Sequence, residues 1–139
     1  MSRVLAIDYG KKRVGIAITD NLQMIASALT TVDTNQVFSF IKKYLTHEKV
    51  CLFVVGNPVH LDYSNSIMSK SVDEFCLKLK SYFPDIPIEK IDERFTSKMA
   101  FDTIIECGVK KMKRRNKSLI DKISATLILQ SYLNRKNSL

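Results

Sequence analysis

The apolar positions change period along the chain, and each change marks an element. Val4 to Ile7 is a short continuous apolar run, the pattern of a strand buried on both faces. Gly10-Lys11-Lys12 supplies a turn, and Val14, Ile16 and Ile18 then give a second, alternating strand. Ile25 to Val32, rich in small and β-branched residues, gives a third. Three strands joined by short turns form an antiparallel meander.

From there the period becomes helical. Val37, Phe40, Ile41, Tyr44 and Leu45 recur on one helix face, with Thr34 or Asn35 as the expected N-cap. Val50 to Val55 is another buried strand, ended by Gly56-Asn57-Pro58. His60 to Ser66 is polar and turn-prone. A helix follows over Ile67 to Phe83, with Val72, Phe75, Cys76 and Leu79 on one face, and Pro84-Asp85-Ile86-Pro87 stops it. Ile86 to Ile91 is the fifth strand. A helix after Thr96 carries Met99, Thr103, Ile104 and Cys107 and ends at Gly108. The basic stretch Lys110 to Lys117 reads as a linker, and the last helix spans Leu119 to Asn134. The order is βββαβαβαα, an α/β chain with a mixed five-stranded sheet and helices on both faces. Without repeats or interdomain linkers, residues 1–139 are expected to form a single domain.

Charge sharpens this picture. With 22 Lys+Arg against 14 Asp+Glu, the formal net charge is +8, which attracts polyanions. Two clusters carry much of it: Lys11, Lys12 and Arg13, and then Lys110, Lys111, Lys113, Arg114, Arg115 and Lys117. Cys51, Cys76 and Cys107 are odd in number and far apart, which argues against a disulfide frame or a thiolate zinc site and suits a reducing cytoplasm. With only His47 and His60 besides, a metal here would be hard and oxygen-bound. Asp8, Lys11, Lys12 and Arg13 interrupt the apolar stretch that a signal peptide would need, and no apolar run is long enough for a bilayer. The expectation is a cytoplasmic protein without membrane contact.

Three acids stand where acids are unusual. Asp8 ends the apolar run of the first strand, and Glu93 lies just past the fifth. Asp121 shares a helical stripe with Ala125, Ile128 and Tyr132. In an α/β sheet, sites gather where strands end. Converging carboxylates repel unless cations neutralise them, and an oxygen-only set suits Mg²⁺ or Mn²⁺. Each acid also has a plain structural role open to it. Asp8 could start the turn toward Gly10, Glu93 could pair with Arg94, and Asp121 could complete a capping box with Ser118.

Four segments carry a resemblance to a known family. They are Ile7-Asp8-Tyr9-Gly10-Lys11-Lys12-Arg13-Val14-Gly15, Val54-Val55-Gly56-Asn57-Pro58, Asp92-Glu93-Arg94-Phe95-Thr96-Ser97, and the stretch from Asp121 to Leu133. In this order they resemble the YqgF family, small bacterial proteins described as candidate pre-16S ribosomal RNA nucleases or Holliday junction resolvases. The resemblance covers Arg3 to Leu133 and implies a ribonuclease H-like fold with a carboxylate site for two divalent metals. Asp8, Glu93 and Asp121 match the family's three acids, and Arg13 its arginine after the first turn. Asn57 stands where the family has leucine, and the loop Val59-His60-Leu61-Asp62-Tyr63 lacks the usual glycine turn. Ser124 and Thr126 replace small residues on the last helix.

The expected activity is therefore phosphodiester hydrolysis with two Mg²⁺ or Mn²⁺ ions held by Asp8, Glu93 and Asp121. Lys11, Lys12 and Arg13 would hold the phosphate backbone, and the cluster from Lys110 to Lys117 would clamp a flanking strand. Thr96 is read as a helix cap. Tyr9 and Tyr63 could stack on bases or simply pack. Trimming the 5′ end of precursor 16S rRNA is the first substrate reading and resolution of four-way DNA junctions the second. Paired junction cuts need a dimer, whereas trimming can be done by a monomer. Two other readings are a catalytically silent nucleic-acid-binding module and an ATP-binding domain of the actin and sugar-kinase type. The latter normally needs two such halves.

Overall fold

A computed structural model describes residues 2–57, 66–92 and 117–137. Strands β1 (Arg3–Asp8), β2 (Arg13–Thr19) and β3 (Ala26–Asp33) form the antiparallel meander. A short 3-10 turn (Thr34–Gln36) leads into helix α1 (Val37–Leu45), then β4 (Val50–Asn57), α2 (Ser66–Tyr82), β5 (Ile88–Asp92) and the last helix, α3 (Lys117–Asn137). The sheet order is β3-β2-β1-β4-β5, with β4 parallel to β1 and β5 parallel to β4. The C-terminal ends of β1, β4 and β5 therefore lie along one sheet edge. The expected mixed five-stranded sheet is present, while the expected helix after Thr96 falls outside the described residues.

Two cores sandwich the sheet. Leu5, Ile7, Phe53 and Val55 face α1 and α2, where Val37, Ile41, Val72, Phe75 and Leu79 are buried against them. Val4, Ala6, Ala17, Val54 and Ile91 face the other way and pack on Ala125, Ile128 and Leu129 of α3. Each large apolar side chain fully withdrawn from water contributes about 1.5–3 kcal/mol. β2 departs from simple alternation because Gly15 and Ala17 are buried as fully as Ile16. Their small size lets α3 lie close across that face.

Several boundaries differ from the sequence reading. Asp8 is the last residue of β1 rather than the first of a turn. Neither Thr34 nor Asn35 caps α1: the cap position is Gln36, which makes no side-chain cap bond, because the 3-10 turn intervenes. Thr34 Oγ1 instead donates to the Gly10 carbonyl at 2.6 Å, and its N–H to the Lys12 carbonyl at 3.0 Å. These two bonds tie the β1–β2 turn to the start of α1. Lys117 opens α3 rather than ending a linker. Ser118 thus already lies inside the helix, where it cannot serve as the flanking N-cap that a capping box with Asp121 needs.

Candidate active site

Strand parity fixes which face each site residue joins. Val4 and Ala6 belong to the core under α3, so Asp8, two residues on in the same strand, lies on that face too. Asp8 is half-buried and pairs in register with Gly15 of β2. On the other side, Ile7 is level with Val55, which sets Asp8 beside Gly56 of β4, itself level with Ile91 of β5. The row across the edge thus reads Gly15, Asp8, Gly56, Ile91. Asp8 is flanked by a residue without a side chain on both neighbouring strands. Neither neighbour projects a side chain toward the carboxylate.

Helix α3 reaches the same edge. Arg135 pairs with Glu89 near the start of β5, and Lys136 Nζ donates to Gln23 Oε1 at 2.6 Å in the β2–β3 turn. Those contacts fix the C-terminus of α3 at the opposite end of the sheet. Its 21 residues span about 31 Å, so its N-terminal turns lie toward the edge that carries Asp8. Ala125 is fully buried against the sheet, and Asp121 occupies the backbone position one turn before it. Of the predicted stripe, Ala125 and Ile128 are buried, and Tyr132 packs against the same core.

Glu93 lies outside the described residues, one peptide beyond Asp92, the last residue of β5. So do Lys110, Lys111, Lys113, Arg114, Arg115, Tyr63 and Thr96, together with the loop from Val59 to Tyr63; nor is the side chain of Asp121 described. Among the described residues no three acidic, His or Cys side chains come together as a metal-binding group. Lys11 and Lys12 are exposed in the turn directly after Asp8, and Arg13 opens β2 opposite Asp33. The first basic cluster therefore stands at the same sheet end as Asp8. Tyr9 is packed rather than presented: its ring stacks on Phe75 at 4.8 Å with 8° between the planes. Asn57 ends β4 level with Asp92, placing an amide where the resembled family has leucine.

Titration shifts are resolved at several described residues. Burial pushes the Cys76 thiol and the Tyr44 and Tyr132 phenols up, and a hydrogen bond to Asp73 raises Lys90. A thiol raised by burial is a poor nucleophile, so Cys76 is a core residue. The flanking glycines are what sequence reasoning missed. Gly15 and Gly56 lay within the quoted motifs, but only strand register shows that both border Asp8.

The comparisons with known proteins fit this geometry. A family model described as RuvX, Holliday junction resolvase, matches residues 2–135. The chain belongs to the RuvX family. This is the family named YqgF in the sequence resemblance. RuvX relatives at high identity include proteins named as candidate pre-16S rRNA nucleases from Flavobacterium psychrophilum, 52% identical over 98% of this chain and 99% of the relative, and Bacteroides thetaiotaomicron, 48% identical over the same shares. Among solved structures, the Fowlpox virus resolvase in complex with Holliday junction DNA superposes with a TM-score of 0.61 at 13% identity, covering 96% of this chain and 98% of that one. Thermus thermophilus RuvC with a Holliday junction substrate gives 0.57 at 13% identity, covering 98% and 96%. At such identities these structures establish the shared ribonuclease H-like fold of the RuvX chain.

Proposed function

We propose that this RuvX protein is a divalent-metal-dependent nuclease that hydrolyses phosphodiester bonds, acting on the 5′ end of precursor 16S rRNA in the cytoplasm. The observation that carries the reading is Asp8 at the sheet edge, between Gly15 and Gly56, on the face toward which the N-terminal turns of α3 extend. Ile91 of β5 is on that face, and Glu93 comes two residues later in the chain. Asp8, Glu93 and Asp121 would then supply an oxygen-only donor set, which fits Mg²⁺ or Mn²⁺. Two such ions, when bound, lower the pKa of the attacking water and neutralise charge on the phosphorus. The chain's own part is to gather the carboxylates, to hold the phosphate backbone through Lys11, Lys12 and Arg13, and to clamp a flanking strand with Lys110, Lys111, Lys113, Arg114 and Arg115.

The names of the high-identity relatives support the rRNA substrate. The family description and the fold neighbours support a second reading, resolution of four-way DNA junctions by a homodimer. A direct comparison of labelled precursor rRNA and a four-way junction, under Mg²⁺ and then Mn²⁺, separates the two. Faster cutting of the rRNA is expected, and symmetric paired nicks in the junction with none in the rRNA would reverse the assignment. No metal-dependent cutting of either would reduce the protein to a nucleic-acid-binding module.

A further inference from the structure

The face of the sheet opposite α3 carries a feature that the carboxylate site does not use. A cleft of about 580 Å³ opens between α1, α2 and the β1–β2 turn, lined by Tyr9, Lys11, Phe38, Glu74, Lys78 and Tyr82 among others. A second cleft of about 440 Å³ shares Phe38 and Tyr82 with it and extends to Lys42. Together they make one groove. Its wall is a column of rings: Tyr9 on Phe75, Phe75 on Phe38 at 5.4 Å and 26°, and Phe38 on Tyr82 at 4.8 Å and 28°. The stacked column begins in the core, where Phe75 is 4% exposed, and reaches Tyr82, which is 63% exposed and has the tilted ring of Phe83 at 6.3 Å beside it. A core-anchored stack that finishes in an exposed phenol is a rigid platform for a further flat ring.

Charge selects the occupant. Lys11, Lys42 and Lys78 are exposed along the groove, against one acid, Glu74, among the described lining residues. Three cations and an aromatic platform match a polyanion with flat bases. An unpaired base can stack on Tyr82 while its neighbouring phosphates meet the lysines, an arrangement that tolerates any sequence. The groove also joins the candidate active site, since Tyr9 follows Asp8 directly and Lys11 belongs to the turn beyond it.

We propose that this groove holds a single-stranded segment of the nucleic acid whose phosphodiester is presented to Asp8. The segment would pass over the sheet edge at the β1–β2 turn, with one base on Tyr82 and phosphates on Lys11, Lys78 and Lys42. The inference rests on the nuclease reading for its account of why the segment is there, but its binding test does not depend on cleavage.

The experiment measures fluorescence anisotropy of a labelled oligouridylate of about eight nucleotides, within the usual range of single-strand sites, in EDTA. Tyr82→Leu keeps an apolar side chain but removes the ring, and it should weaken binding about five-fold or more, since one base–aromatic stack is lost. Tyr82→Phe should bind like wild type, which shows that the ring face acts rather than the hydroxyl. Replacing Lys11, Lys42 and Lys78 together with Gln should lower the salt slope by about two. Unchanged affinity in Tyr82→Leu overturns the proposal. So does a Tyr82→Leu protein that binds normally but changes from dimer to monomer in sedimentation velocity, which would assign the groove to a second copy of the chain. Metal-dependent cutting by wild type with no effect of Tyr82→Leu on binding removes the groove and leaves the nuclease. Binding that depends on Tyr82 without any cutting does the reverse.

Discussion

Replacing Asp8 by Asn should stabilise the metal-free protein and lose that advantage when metal is added. Asp8 ends β1 level with Ile91, two strand spacings away, or roughly 9.6 Å across the sheet. A proposed partner anion about 7 Å from Asp8 sets the scale. At that separation one pair of anions repels by about 0.6 kcal/mol in a water-like medium and about 2.4 kcal/mol at an effective dielectric constant of 20. Asp8 is half-buried at a sheet edge, and two partner anions are proposed, so removing its charge should stabilise the metal-free protein by about 1–2 kcal/mol. For a chain of 139 residues that corresponds to a rise in Tm of roughly 3–7 °C.

Metal offsets that difference. A ligand at ten times its Kd stabilises the native state by about 1.4 kcal/mol, or roughly 5 °C here. Wild type should gain this from Mg²⁺, while Asp8→Asn, with one anionic ligand fewer, should gain little. The assay is a pair of calorimetric melts for each protein, in EDTA and in Mg²⁺, alongside cleavage of labelled precursor rRNA. Asp8→Asn is expected to melt higher in EDTA, to shift less with Mg²⁺, and to lose metal-dependent cutting. A variant that melts clearly lower in EDTA, or one that responds to Mg²⁺ as wild type does, would refute the reasoning and give Asp8 a structural role.

Three further outcomes follow from the same geometry. Gly56→Val puts a branched side chain beside Asp8, so it should abolish the Mg²⁺-induced rise in Tm while costing about 1–3 kcal/mol of stability by urea unfolding; an intact Mg²⁺ response would show that the space is not used. In Gly10→Ala the new Cβ would meet the Arg13 carbonyl oxygen at 2.5 Å, backbone that must shift, so a loss of about 1–3 kcal/mol is expected by the same method; a neutral result would mean that the turn relaxes freely. Asp20 Oδ1 accepts the N–H groups of Met24 at 2.8 Å and Ile25 at 2.9 Å, with the Ile25 bond the largest cause that lowers its pKa. A lowered native pKa contributes stability above the unfolded value and loses it as pH falls through the native one, below about pH 4. Amide exchange at Met24 and Ile25 should therefore speed up in Asp20→Ala at neutral pH but differ little from wild type well below pH 3.

The fold was legible where burial coincides with large side chains. Val4 to Ile7 and Val50 to Val55 are continuous apolar runs because helices cover both faces of the sheet, and the face of α2 announced itself through Val72, Phe75 and Leu79. Gly15 and Ala17 were not legible as interior positions, since small residues carry almost no hydropathic signal. The start of α1 was misplaced because Thr34, a good N-cap by type, spends its hydroxyl on the Gly10 carbonyl. Asp8 and Asp121 could be nominated from local pattern, Asp8 by ending an apolar run and Asp121 by its stripe. The direction of α3 could not, because contacts at its far end decide it. The aromatic groove was hidden for a related reason: its rings come from residues 9, 38, 75 and 82, and no spacing in the chain links them.

The small residues under α3 connect packing to chemistry. Ala6, Ala17 and Ala125 meet where the helix lies over the centre of the sheet, one turn from Asp121. Close-packed interiors do not absorb added volume, so a larger residue at position 125 would lift the N-terminal half of α3 while its C-terminal end stays tied through Arg135 and Lys136. The displacement would be greatest toward the N-terminal turns of α3, which carry Asp121. A shift of about 1 Å there is enough to reduce a reaction about 100-fold. On the proposed function, the alanine contacts therefore matter less for the energy they bury than for the height at which they hold the helix backbone above the sheet.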